Sequence, residues 1–234
     1  MRVYYDLHIH TALSPCGDAD MTPNNIVNMA ILKGLDVIAV TDHNSCGNVR
    51  AVTAAAGERL LVVPGMEVET AEEIHVVCYF PTVEAVEQMG KIVAAHQLPV
   101  KNKAEIFGQQ LYLDAEDRIC GEEEILLVNA TTLDIYTLVK EVKNCGGVAV
   151  PAHIDRDSFS VLANLGTVPE DLGVSALEIT QKNVANLREN YKEYVILTNS
   201  DAHYLWDIAE AEHYLDISDK NTQKILDILT KVNL

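Results

Sequence analysis

The chain has 234 residues, 48% of them hydrophobic, enough to bury a full core and to exclude a disordered polymer. Against 17 basic residues stand 35 acidic ones, a net charge of −18, and such a field repels nucleic acid and anionic membranes at long range. The charge therefore predicts neither long nucleic acid nor a membrane as partner, but it allows a small phosphorylated substrate, because a metal can dominate the local field.

No apolar run reaches the length of a membrane span and the N-terminus lacks a signal-peptide pattern, which predicts a soluble, cytoplasmic protein. The five cysteines (Cys16, Cys46, Cys78, Cys120 and Cys145) are odd in number, widely spaced and free of a CxxC pair, so a disulfide framework is not expected.

Residues 3–7 (VYYDL) read as a strand that runs into His8 and His10. Side chains two apart in a strand share a face, so both imidazoles aim at one spot, an arrangement that suits a divalent cation between them. The polar turn SPCGDAD follows. Thr22 then caps a helix with Pro23 in its first position, Ile26, Met29 and Ala30 on one face, and Gly34 at its end. Residues 36–40 form a buried strand leading to Asp42 and His43, and 48–56 a helix. Residues 59–63 are a strand with Glu67 just beyond, and the strand 73–80 contains His75. A helix covers 82–95. Residues 96–131 break the rhythm and are expected to be an irregular insertion of short helices, either a lid over one barrel face or a plain surface excursion. A helix at 133–145, capped by Thr132, stops at Gly146 and Gly147. The strand within 147–153 ends at His153, with Arg156 three residues on. Strands within 175–180 and 193–203 follow, the second ending at Asp201 and His203, and a helix at 221–232 closes the chain.

Strand–helix alternation with β-branched runs predicts a parallel sheet, and about seven such units in a single domain over 1–234 predict a closed or nearly closed barrel. Six of the eight histidines lie in or just after strands, whereas His96 and His213 are expected on the surface. In a parallel barrel the strand C-termini share one face, where active sites form. The donors gathered there are His8, His10, His43, His75, His153, His203, Glu67, Asp201 and one of Asp18 or Asp20. One zinc-like ion takes three or four protein ligands, so this set predicts two to three divalent ions, a bridging carboxylate and a hydrolase that activates water.

The motifs DLHIHT, AVTDHN, PGMEVET with IHVV, VPAHIDR and NSDAH, in this order, resemble the PHP family (polymerase and histidinol phosphatase) over residues 3 to about 205. The resemblance implies an α/β fold, a distorted (β/α)7 barrel, with a trinuclear centre of zinc, manganese or iron. With no polymerase segment attached, it points to the free-standing phosphoesterases. It would give one metal to His8, His10, Glu67 and Asp201, and a second to Glu67, His75 and His153. The third would go to His43, His203 and a residue of the loop after His10. That loop is three residues longer than the common pattern; Asp18 is the first choice for the ligand, ahead of Asp20 and Cys16.

Arg156 would face the substrate phosphate, its guanidinium matching two phosphate oxygens; the plainer alternative is a surface pair with Asp155 or Asp157. Asp201 or a nearby histidine such as His203 would assist the leaving alcohol. Asp6 either orients a ligand histidine or stays solvated, and Glu178 faces either the site or solvent. The expected activity is hydrolysis of a small phosphomonoester, such as a nucleotide or a sugar or amino-alcohol phosphate. An amidohydrolase-like C–N hydrolase is the rival enzyme class, disfavoured because no lysine follows a mid-chain strand at a site position. A non-catalytic ligand-binding or regulatory module with a degenerate centre is the other alternative.

Overall fold

The computed structural model describes residues 1–231. Ten strands are β1 (Arg2–Ile9), β2 (Val37–Val40), β3 (Leu61–Glu69), β4 (His75–Tyr79), β5 (Leu111–Leu113), β6 (Ile119–Glu122), β7 (Val148–Pro151), β8 (Ala176–Glu178), β9 (Val195–Leu197) and β10 (Tyr214–Asp216). The helices are α1 (Pro23–Leu32), α2 (Val49–Ala56), α3 (Val83–His96), α4 (Ala104–Phe107), α5 (Ile135–Asn144), α6 (Val161–Leu165), α7 (Val184–Leu187) and α8 (Thr222–Leu229). The expected closing helix is thus shorter at its end, and its last expected residue, Val232, lies outside the described residues.

Six strands form one curled sheet in the order β10-β1-β2-β3-β4-β7, and β8 pairs with β9 in parallel. Ile154 N donates to Glu178 O at 2.9 Å, linking the chain just past β7 to the end of β8. His10 N donates to Ala202 O at 2.9 Å, linking the chain beyond β9 back to β1. The result is a mixed α/β fold with a barrel-like curl rather than a ring of parallel strands. β1, β2 and β3 are parallel, but β4 is antiparallel to both β3 and β7, and β10 is antiparallel to β1. The reversal of β4 follows from its connection. Residues 70–74 are too few for a parallel crossover, which needs a dozen or more, and they turn back as a hairpin.

Alternation along the strands sorts the core into two layers. Val3, Tyr5, Leu7, Val37, Ala39, Val63, Val77 and Tyr79 pack on the concave side with Ile225, Leu226 and Leu229 of α8. Ile38, Val40, Val62, Met66, Val68, Val76 and Cys78 pack on the other side against α1, α2, α3 and α5. β1 changes parity within this scheme. Its pairing with β2 steps from Asp6↔Ile38 to Ile9↔Val40, one extra residue on β1. Past this bulge Ile9 joins the helix-side layer, so His8 and His10 turn to the concave side on which Leu7 also packs. Bulges re-aim side chains in this way beside functional sites. His153 does the same by backbone conformation: its φ of +27° separates concave-side Ala152 from helix-side Ile154.

The insertion is more ordered than expected. It holds the hairpin β5–β6 and the single turn α4. Leu111 and Leu113 pack on Ala12, Leu111 N donates to Ala12 O, and Asn48 bonds both hairpin residues through its side chain. Asn44 Nδ2 donates to the carbonyls of Leu127 and Asn129. The insertion therefore braces the loops after β1 and β2. Helix caps differ in detail. Asp134, not Thr132, caps α5 by accepting from Thr137 N at 2.9 Å, and Thr22 sits at the start of α1 without a side-chain capping bond.

Candidate metal centre

Glu67 is the hub. It lies on the concave side of β3, 1% exposed, and five histidines, His8, His10, His43, His75 and His153, converge on its carboxylate. Oε1 lies 3.3 Å from His8 Nε2, 3.1 Å from His75 Nδ1 and 3.5 Å from His153 Nε2, and Oε2 lies 3.0 Å from His43 Nδ1. His75 reaches this rim because β4 is reversed: its first residue sits opposite Glu69, the last residue of β3. Asp201 adds a second carboxylate, with Oδ1 3.0 Å from His10 Nε2 and 3.3 Å from His8 Nε2. Its φ of +54° is a strained backbone for a non-glycine residue, of the sort found at functional sites.

Three donor groups result, each with ligand atoms close enough to share a cation: His8, His10, Glu67 and Asp201; His43, Glu67 and His75; and His10, His43 and His203. His153 borders the second through Glu67. Both Glu67 oxygens, His43 Nδ1 and both ring nitrogens of His153 are buried without a hydrogen bond. Leaving buried polar atoms unpaired is costly, and these are lone-pair donors aimed at common points, so the residues present fit metal ions. Titration directions reflect the same crowding. Burial and the neighbouring His203 and His43 hold His10 well below the usual imidazole range. Burial would raise the Glu67 and Asp201 carboxyls, but the imidazoles around them, His75, His8 and His43 for Glu67 and His8 and His10 for Asp201, hold both well below the usual carboxylate range.

The supporting residues were only partly visible in the sequence. Glu178 is buried, with both carboxylate oxygens 3.1 Å from His8 Nδ1, and it also accepts from His153 N and Asn199 Nδ2. Asp42 accepts from Thr11 N, Thr11 Oγ1 and Ser14 Oγ, and Ser14 Oγ lies 2.9 Å from His10 Nδ1. Asp6 orients no histidine. It accepts from Ser200 N, Ser200 Oγ and Ala209 N, and so anchors the segment carrying Asp201 and His203.

Arg156 pairs neither with Asp155 nor with Asp157: its Nη2 lies 2.7 Å from Asp201 Oδ2, at the mouth of the centre, while the side chain stays 45% exposed. Asp155 binds Thr180 and Asn183 instead. Asp18 stands outside all three groups, its Oδ1 accepting from Asp20 N, and Asp20 is exposed. Cys16 also stands outside all three groups and is exposed, but the His203 and His43 imidazoles act on its thiol. Desolvation would raise its thiol, but those two imidazoles bring it down to about 6. His96 and His213 lie away from the centre, bonding Ile92 O and Gln181 Oε1, and both are half-buried rather than fully exposed.

The PHP domain matches residues 6–199, most of the chain and every donor above except Asp201 and His203. The chain belongs to the PHP family. Among curated proteins, PHP relatives include the 5'-3' exoribonuclease Rnm of Salmonella typhimurium, 35% identical over 81 residues, which are 32% of this chain and 27% of that protein. The 5'-3' exoribonuclease of Haemophilus influenzae is 24% identical, over 65% of this chain and 69% of its own. Among solved structures, endonuclease Q from Pyrococcus furiosus superimposes with a TM-score of 0.69 at 17% identity, covering 98% of this chain and 56% of its own. A Bifidobacterium adolescentis protein assigned as a metal-dependent phosphoesterase gives 0.64 at 18% identity, covering 98% and 97%. This chain thus spans only part of the exoribonuclease Rnm and of endonuclease Q.

These comparisons correct one expectation. The net charge argues against long nucleic acid, yet endonuclease Q, matched over 97% of this chain, is known in complex with a 27-mer duplex bearing an abasic lesion at the active site. The physical reason is one of range. Net charge acts through solvent and is largely screened beyond a Debye length, whereas contact at a PHP centre is governed by the local charge of ions and of groups such as Arg156. The membrane expectation has a narrower counterpart: among the described residues, no helix is long and apolar enough to cross a membrane.

Proposed function

We propose that this PHP chain is a metal-dependent phosphoesterase whose substrate is a phosphodiester at the end of a nucleic-acid strand. The observation that carries the reading is the sharing of Glu67 and Asp201 among clustered imidazoles, with Arg156 bound to the outer oxygen of Asp201. The names of the exoribonuclease relatives support the substrate class, and a small phosphomonoester remains an outcome of the test.

Two to three divalent ions, held by His8, His10, Glu67 and Asp201, by Glu67, His75 and His153, and by His43, His203 and a loop residue, would supply Lewis-acid activation of water and neutralise phosphate oxygens. The chain's own residues do the rest. Glu178 and Ser14 fix the His8 and His10 rings from behind through Nδ1, leaving each Nε2 facing the centre. Arg156 donates to the phosphate from the rim, where its exposure lets it swing from Asp201 to a ligand. Asp201 Oδ2, freed by that movement, accepts the proton lost by the attacking water. The P–O bond to the departing strand breaks, and the departing hydroxyl takes its proton from solvent at the open mouth. His203, 22% exposed at that mouth, completes the donor set.

Full-length protein loaded with Mn²⁺ should be offered 5'-phosphorylated RNA and DNA oligonucleotides beside a panel of small phosphomonoesters. Release of nucleotides from an oligonucleotide, abolished by Glu67→Gln, is the expected result. Release of phosphate from the small esters alone would overturn the substrate class, and no hydrolysis of either would overturn the enzyme reading.

A further inference from the structure

The chain leaves the metal centre at His203 and enters an exposed aromatic pair. Tyr204 and Trp206 stack with ring centroids 4.9 Å apart and planes 17° from parallel. They are 39% and 69% exposed. A stacked pair kept in water beside a reaction centre offers a flat apolar face to a ligand. Tyr204 also forms one wall of a cleft of about 330 Å³, at the lower end of the range of about 300–1,000 Å³ for small-molecule sites. The loop after β1 and the insertion form the rest. Ala12 and Leu111, which pack together, give an apolar floor, and Asp18 and Gln109 give polar edges. The cleft adjoins the centre. Asp18 N donates to His203 O at 2.9 Å, and Ser14 Oγ, in the same loop, lies 2.9 Å from His10 Nδ1.

From this arrangement we propose that the cleft is a nucleobase subsite, in which the base of a terminal nucleotide stacks on Tyr204, braced by Trp206, while its phosphate lies at the metal centre. The aromatic wall matches the flat face of a base, and the polar edges match its hydrogen-bonding rim. Asp18 Oδ1 accepts from Asp20 N, which leaves Oδ2 and the Gln109 side-chain amide without a hydrogen-bond partner among the described residues. A carboxylate only accepts, so Asp18 favours a base with an exocyclic amino group, whereas Gln109 can donate or accept. The walls are fixed in place. A Cβ on Gly17 would meet Thr11 O at 2.5 Å, and a Cβ on Gly108 would meet Pro15 O at 2.1 Å, so the loop and the insertion stay in close contact. A base paired within a duplex cannot enter, and the subsite therefore selects single-stranded ends. Stacking needs no positive charge, which suits a chain of net charge −18. The insertion thereby takes part in choosing the substrate.

This rests on the strand-end reading above, but its test reads binding rather than hydrolysis. Full-length protein loaded with Mn²⁺ is titrated into a short 5'-phosphorylated single-stranded oligonucleotide that has phosphorothioate linkages and a 3' fluorophore, and anisotropy gives Kd. The same strand is made with an abasic residue in place of its first or its second nucleotide. At one of those positions, removal of the base should weaken binding to the wild type roughly 5- to 150-fold. Tyr204→Ala should keep its metals, bind the complete strand about as weakly as the wild type binds the abasic one, and lose nothing further when the base is removed. Tyr204→Phe should restore the base effect, and Trp206→Ala should reduce it. No base effect in the wild type, an equal base effect in wild type and Tyr204→Ala, or no binding of the strand would each overturn the proposal. A nucleoside 5'-monophosphate should compete only weakly, and one that competes as well as the strand would overturn the strand end as the source of the base. Hydrolysis of oligonucleotides without a base effect would count against the subsite alone, and a base effect without hydrolysis would count against the proposed function alone.

Discussion

Glu178 grips His8 from behind, both of its carboxylate oxygens lying 3.1 Å from Nδ1 of the ring. That contact places the proton on Nδ1 and leaves Nε2, which faces Glu67 and Asp201, as the free donor. Glu178→Gln should therefore weaken metal binding by about 10- to 100-fold, as loss of such an orienting carboxylate does elsewhere. A competition titration against a chromophoric chelator measures this, and an unchanged affinity would show that His8 needs no orienting partner.

Arg156 offers a test of phosphate recognition. Arg156→Ala should keep its metals while kcat/KM on the active ester falls roughly 30- to 1000-fold, the equivalent of about 2–4 kcal/mol of transition-state stabilisation. Arg156→Lys should recover only part, for want of a two-pronged donor. A variant within twofold of wild type and with full metal content would leave the ions to bind phosphate alone.

Metal removal should destabilise the whole molecule, because it leaves the buried carboxylates and imidazoles around Glu67 facing one another without a cation. With free metal at about 1,000 times its dissociation constant, the linkage is worth about 4 kcal/mol, a shift in Tm on the order of 10 °C for a domain of this size. Thermal unfolding before and after exhaustive chelation measures it. Coincident curves would mean that the ions make no contribution to the fold.

Asp134 provides a pH-dependent check far from the centre. Hydrogen bonds from the Thr137 side chain and amide hold its carboxyl below the usual aspartate range. Its folded value is thus depressed, so the stability it contributes is present above the unfolded value of about 3.9 and is lost as pH falls through the folded one. Asp134→Ala should cost about 1 kcal/mol near neutrality, and the gap between variant and wild type should narrow below pH about 3.9. Urea unfolding of both proteins at pH 7 and in acid decides it, and a gap that widens in acid would contradict the sign.

Much of the centre could be read from spacing. His8 and His10 announce themselves because two residues are one strand period, and His43, His153 and His203 each follow a short β-branched run. The reversal of β4 was also legible, in the five residues between Glu69 and His75, but an assumed parallel rule hid it. Other features leave no trace in a periodic pattern. The extra residue in β1 flips the parity of the strand, and only the pairing with β2 reveals it. Glu178 ends a three-residue strand too short for either face to be inferred. Side-chain direction in the 11–18 turn, which carries Asp18 and Cys16, is set by hydrogen bonds such as Gly17 N to Ser14 O, which residue types alone do not specify.

The closure of β1 against the far end of the chain has a consequence for biosynthesis. His8 and His10 leave the ribosome well before Ala202, Asp201, His203 and β10, which complete the surroundings of β1. Until then β1 is a hydrophobic edge with one side unpaired, the condition under which nascent chains aggregate. A complete donor set does not exist on a nascent chain that stops short of His203, so the choice of metal falls to the ions at hand once that residue has emerged.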